Sequence, residues 1–158
     1  MVRGQGTRMA LFSDAISFLA TVEDPDETRM NSRKRLTAAE ARKLKSKHPG
    51  VPDEFLGYLR EVGAGAFREC QFTVYGFLGT PDEILGKGVL LRKDPSIPVV
   101  CFGDNFSGDL SGFLPEEDWA VVELWHDDGT LWRVKKPFGT YIRERMLMGP
   151  NGEDLASK

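Results

Sequence analysis

Histidine and cysteine are scarce in this chain of 158 residues, two of each: His48 and His126, Cys70 and Cys101. Neither pair recurs at ligand spacing, which argues against a zinc site, and no metal is expected. Cys70 and Cys101 sit at apolar, strand-like positions and read as buried thiols rather than a disulfide framework. No apolar run reaches the length of a membrane span. The opening stretch MVRGQGTRMALFSDAISFLA is broken by Ser13, Asp14 and Ser17 and does not have the shape of a signal peptide. The chain is therefore expected in the cytoplasm, away from membranes. A glycine-rich phosphate loop followed by Lys-Ser/Thr and a nucleophile elbow are both missing. Ser107 and Ser111 have no base nearby in sequence. No catalytic residue and no cofactor is expected.

Positive charge is missing from one long window. Between Lys93 and Arg133 there is no Lys or Arg, while Asp94, Asp104, Asp109, Glu116, Glu117, Asp118, Glu123, Asp127 and Asp128 make nine acids. Residues 1–50 carry ten Lys/Arg against six Asp/Glu, and the remainder carries eleven against eighteen. Phosphate contacts need clustered positive charge, so the main body is not expected to bind nucleic acid. An acidic stretch of this kind points instead to a basic protein partner. The basic run Arg33, Lys34, Arg35 reads as a solvated loop rather than a nucleic-acid patch.

What is present fits one ordinary globular domain, with 41% apolar and 28% charged residues. Leu11, Phe12, Ala15, Ile16, Phe18, Leu19 and Val22 recur at helical spacing behind Ser13 as N-cap. Residues 23–35 read as a polar loop. Thr37 and Glu40 form a capping box on a helix that His48-Pro49-Gly50 stops. Pro52, Asp53 and Glu54 open the next helix, Gly63 closes it, and Val51, Phe55, Tyr58, Leu59 and Val62 line its buried face. After a Gly63–Gly65 turn, Cys70 to Tyr75 alternates as a strand. Thr80 and Glu83 form a second capping box. Lys87 to Pro95 is a connector.

Val99 to Phe102 is an unbroken apolar run, as expected of a strand covered on both faces. Gly103, Asp104, Asn105, Ser107 and Gly108 then turn the chain into a second strand, Asp109 to Leu114. Strands at 120–126 and 130–134 flank the Asp127-Asp128-Gly129 turn. A closing helix spans Phe138 to Met146, and residues 149–158 read as a flexible tail. Trp125 and Trp132 fall inside strands and are expected in the core, Trp125 together with Phe55. Trp119, beside the acidic run, is expected as an exposed interface anchor. Asp104 and Asp109 flank a polar turn whose spacing does not match a calcium loop. The fold expected is α+β, an antiparallel-dominated sheet with helices packed against it.

The order of VPDEFLGYLREVG (51–63), VVCFGDNFSGDL (99–110), the Trp125 to Gly129 turn and a terminal FGTYIRE helix resembles the SUKH superfamily, which includes Smi/Knr-type fungal regulators and many bacterial immunity proteins. The similarity runs from about Leu36 to Met146, leaving residues 1–35 as an N-terminal helix and basic loop, 36–148 as the SUKH-like domain and 149–158 as the tail. GAGAF at the end of the VPDEFLGYLREV helix and the bulky Phe106 depart from the family pattern. The resemblance implies a non-enzymatic protein that binds and neutralises a co-encoded toxin, often a nuclease or another polymorphic toxin domain. On this reading the partner surface comprises Asp104, Asp109, Glu116, Glu117, Asp118, Trp119, Asp127 and Asp128. An adaptor of the same fold, or a small-molecule-binding domain or hydrolase using Asp104 and Asp109, are the alternatives.

Overall fold

The computed structural model describes residues 10–156. Its centre is a seven-stranded sheet in which every strand pairs antiparallel with its sequence neighbour, in the order β1 (Arg33–Lys34), β2 (Ala64–Phe67), β3 (Phe72–Gly79), β4 (Val100–Asp104), β5 (Leu110–Leu114), β6 (Ala120–Leu124) and β7 (Leu131–Arg133). Helices α1 (Ser13–Val22), α2 (Ala38–Lys47), α3 (Asp53–Glu61) and α5 (Phe138–Arg145) contribute to the larger core on one face. The short α4 (Pro81–Leu85) and the connector after it cover the other. The expected α+β class with an antiparallel sheet is the observed one.

The unbroken apolar run of β4 explains the two cores. Side chains alternate across a strand, so Phe102 enters the helix-side core while Cys101 enters the opposite one with Val99, Leu110, Leu114, Val122 and Leu124. Burial pushes the Cys101 thiol up to about 12, which keeps it protonated and inert. On the helix side Phe55 of α3, Phe102, Phe113 of β5 and Phe138 of α5 form a closed set in which every pair has ring centroids between 4.8 and 6.1 Å. The predicted face of α3 is buried throughout. Both capping boxes close as expected, with Glu40 N–H donating to Thr37 Oγ1 at 3.1 Å and Glu83 N–H donating to Thr80 Oγ1 at 3.2 Å.

Several expectations are corrected. Ser13 is the first helical residue of α1, not its cap. No side chain caps the first-turn amides; the Leu11 and Phe12 N–H groups, at the entry to α1, donate to the Glu61 carboxylate at 3.0 and 2.7 Å, so a side chain from α3 anchors the start of the helix. Residues 33–34 and 64–67 are strands, not loop and turn. Gly65, at φ +136°, allows the approach, since a Cβ there would overlap the Ser32 carbonyl. Arg33 is held by Glu23 through two bonds of 2.8 and 2.9 Å, so the basic run is not a uniformly solvated loop. Cys70 is half-buried in a left-handed turn with Arg68 and Glu69, not in a strand. Trp125 lies outside both cores and Trp132 is 45% exposed. The segment expected to fray is tied back, with Met148 bridged to Asp154 and Asp154 Oδ1 2.9 Å from Arg68 Nη1.

No described helix is long and apolar enough to cross a membrane. The four-phenylalanine contact predicts that Phe55→Ala costs about 3–5 kcal/mol. Trp132→Ala, on the surface, should cost under about 1 kcal/mol. Urea melts of the two variants should therefore show widely separated midpoints.

Candidate functional site

In an up-and-down sheet successive hairpins open at alternate ends, and this divides the acid-rich window. The β4–β5 turn, with Asp104 and Asp109, and the β6–β7 turn, with Asp127 and Asp128, lie at one end. The β5–β6 turn, with Glu116, Glu117, Asp118 and Trp119, lies at the other. Five residues of β5 separate the two groups by about 17 Å. The eight sequence-predicted site residues are thus two clusters rather than one face.

At the first end nearly every polar group is engaged. Asp104 accepts the Phe106 N–H at 2.8 Å and the Tyr75 hydroxyl at 2.6 Å. Asn105 Oδ1 accepts the Ser107 and Asp109 N–H groups at 2.9 and 3.2 Å, and its Nδ2 donates to Asp109 Oδ2 at 3.1 Å. Asp109 Oδ1 then crosses to the neighbouring turn, accepting the His126 N–H at 2.9 Å and meeting His126 Nδ1 at 2.7 Å. Burial opposes ionisation of Asp109, yet the His126 and Asn105 bonds outweigh it and hold the carboxyl below its ordinary value. Asp128 accepts the Thr130 N–H at 3.0 Å and meets Lys93 at 3.4 Å, and the Thr130 side chain and N–H together hold its carboxyl below the ordinary value. Asp127 is exposed and has no ion pair among the described residues.

The second end is differently built. Pro115–Glu117 forms a single 3-10 turn, and Asp118 and Trp119 both take left-handed backbone at φ +54° and +58°. Glu117 is neutralised by Arg133 through bonds of 2.8 and 2.7 Å, while Glu116 and Asp118 are exposed. Trp119 is not the expected free anchor. Its ring lies 5.8 Å from Phe113 and 6.3 Å from His48, and a Cβ on Gly50 would overlap the indole. It wedges the His48–Gly50 turn against the core.

Sequence reasoning missed two contacts at the first end. One is the Asp109–His126 pair. The other is the Trp125–Trp132 pair, with centroids 6.1 Å apart on the helix-side face. The first becomes visible only with the strand register: Leu110 pairs with Leu124, which sets the residue before one strand beside the residues after the other. Glu123 accepts Trp125 Nε1–H at 3.0 Å and the Tyr141 hydroxyl at 2.7 Å, and Tyr141 shares a 2.7 Å bond with Ser111. Burial raises the Tyr141 pKa, so the phenol stays protonated; its one proton goes to Glu123, which leaves Ser111 Oγ–H donating to a neutral phenol oxygen rather than to a base.

Asp109 and His126 have the geometry in which a carboxylate orients an imidazole, but no hydroxyl or thiol bonds to His126 among the described residues. No group of three metal-ligating side chains occurs among them either. The principal grooves avoid all the acids of this end. The largest, about 630 Å³, lies between α4 and the connector and is lined by residues such as Pro81, Leu90, Ile97 and Val99. No family model matches the chain, and neither a curated protein nor a solved structure matches it.

The lowered Asp109 pKa has a defined sign. A carboxyl depressed when folded contributes stability above its unfolded value of about 3.9, and loses it as pH falls through the folded value. Asp109→Asn should therefore be less stable than wild type at pH 7, and the gap should narrow between pH 5 and pH 3. Urea midpoints across that range check it; a gap independent of pH would contradict the assignment.

Proposed function

We propose that the protein is a non-enzymatic, cytoplasmic protein-binding domain of SUKH-like type, an immunity protein that neutralises a co-encoded toxin domain through acidic surface. The observation that carries this reading is the turn end of the sheet. Asp104 and Asp109 are fixed by backbone and side-chain donors, Asp127 is exposed beside them, and none of them lines a principal groove. Such a surface suits recognition of a basic partner better than enclosure of a substrate. The helices packed on an antiparallel sheet agree with the fold that the sequence resemblance implies. A basic toxin domain, such as a nuclease that grips phosphates with Lys and Arg, is the partner such a surface fits.

One observation favours a second reading. The Asp109–His126 pair would serve a hydrolase if a substrate or water supplied the missing nucleophile. Loss of a measured esterase, peptidase or nuclease activity in both Asp109→Ala and His126→Ala would establish that reading.

For the leading one, the toxin domain encoded beside this gene should arrest growth when expressed alone and not when this chain is co-expressed. Surface plasmon resonance with that domain should show association slowed by salt, because charges steer the encounter. Asp127→Lys should lower the low-salt on-rate roughly three- to tenfold. Binding indifferent to salt, to Asp127→Lys and to Glu116→Lys would remove the acidic-surface reading.

A further inference from the structure

The largest groove, about 630 Å³, holds a cation without a counterion. Its walls come from the start of α4 and from the connector that leads to β4, and Pro81, Leu90, Leu91, Ile97 and Val99 make them largely apolar. Arg92 lies in the same lining and is half-buried. Its Nη2 donates to the Asp94 and Ile97 carbonyls at 3.0 and 2.7 Å. Its Nε is buried with no hydrogen-bond partner, and the solvent-accessible Nη1 has none among the described residues. No described carboxylate forms an ion pair with it. We infer that this groove binds a small monocarboxylate with an apolar body, and that Arg92 receives the carboxylate. The inference goes beyond the protein-binding reading and does not depend on it.

The first support is the surplus of donors. A guanidinium has five N–H groups, and bracing the connector uses only the two on Nη2. Burial holds the Arg92 pKa below its ordinary value and outweighs the attraction of Asp94 and Asp82. A bound carboxylate supplies both missing items, an acceptor and a negative charge, in the strongest class of hydrogen bond. The second support is that the groove is built in advance. The Lys93 N–H donates to the Gly129 carbonyl at 2.9 Å, and a Cβ on Gly129 would overlap the Leu91 carbonyl, so the connector is seated against the β6–β7 turn. The Ile97 N–H donates to the Asp94 carbonyl at 3.2 Å, and Pro81, Pro95 and Pro98 fix further backbone along the walls. A site already in shape loses little entropy when filled.

The remaining lining selects among anions. Asp82 shares the groove, and its Oδ1 accepts the Gly88 N–H at 3.3 Å. A second negative group on the wall disfavours a phosphate, which carries more charge than one arginine can offset. One cation is also too few for a nucleic-acid backbone. No aromatic ring lines the groove for a sugar to stack on, and the Thr80 hydroxyl is already occupied by the Glu83 N–H. What is left is one charged head on an apolar body. The volume is that of a small-molecule site. Leu91, 81% exposed in the absence of a ligand, is the apolar surface such a body would cover.

Isothermal titration of the full chain with octanoate, decanoate and phenylacetate tests the inference. At least one acid should bind with a Kd of about a millimolar or tighter. The matching alcohol or amide should bind roughly tenfold or more weakly. Amide resonances of Leu91 and Ile97 should shift on binding while that of Phe106 stays in place. Arg92→Met should weaken the acid roughly tenfold. Because Arg92 also braces the connector, two variants outside that brace are decisive. Leu91→Asp, on an exposed side chain, should weaken the acid similarly with an unchanged melting temperature. Asp82→Asn, which still accepts the Gly88 N–H, should tighten the acid roughly two- to fivefold and leave the alcohol unaffected. Equal binding of acid and alcohol would make the groove an apolar slot and overturn the assignment of Arg92. Affinity unchanged in both Arg92→Met and Leu91→Asp would overturn the site. So would binding confined to peptides with a free C-terminus, which would assign the groove to a chain end, or no binding of any acid at ten times the expected Kd, which would leave Arg92 as a brace alone.

Discussion

Four phenylalanine rings hold this molecule together. Phe55, Phe102, Phe113 and Phe138 come from two helices and two strands separated by up to 83 positions in sequence, and each touches the other three. Their edge-to-face and tilted contacts fix where α3 and α5 sit on the sheet. From that placement follows what the helices leave uncovered. Trp125 and Trp132 share the helix-side face but belong to neither core, and so they meet solvent with Glu123 beside them. Position relative to the helix layer decides their exposure, and their apolar character does not.

The acid-only window resolves through strand connectivity. A continuous negative run in sequence becomes two groups at opposite ends because β5 carries the chain from one end to the other. At one end carboxylates act as internal acceptors that stiffen two turns and join them through His126. At the other an ion pair between Glu117 and Arg133 takes up part of the charge. Uniform charge in sequence therefore conceals different work: Asp109 braces a turn, Glu123 fixes an indole and a phenol, and Asp127 faces solvent.

Features set by neighbours in sequence were legible. The Thr37 and Thr80 capping boxes, the buried stripe of α3, the two-sided burial of β4 and the Asp-Gly turn at 128–129 depend on spacings of a few residues. Features set by distant partners were not. Ser13 has the chemistry of a cap, but the start of its helix is anchored by Glu61 from another helix. The β1–β2 pair contains only six residues, has no alternating apolar pattern and depends on a glycine for close approach. Trp119, expected exposed, is partly buried, while Trp125 and Trp132, expected in the core, lie outside it, because an indole beside acids suggests exposure and an indole in a strand beside Leu suggests burial. At the site itself Asp104, Asp109, Asp127 and Asp128 were legible as a group of turn residues. Their union through His126 required the strand register.

The sheet ends in strands of two and three residues. A long free edge would offer a row of unpaired amides and carbonyls on which another chain could lay a strand, both a route to fibrils and a common mode of peptide capture. Edges this short provide few such groups. A seven-stranded sheet is thereby shielded from edge-to-edge growth, and any molecule that recognises it selectively must read side chains rather than main chain.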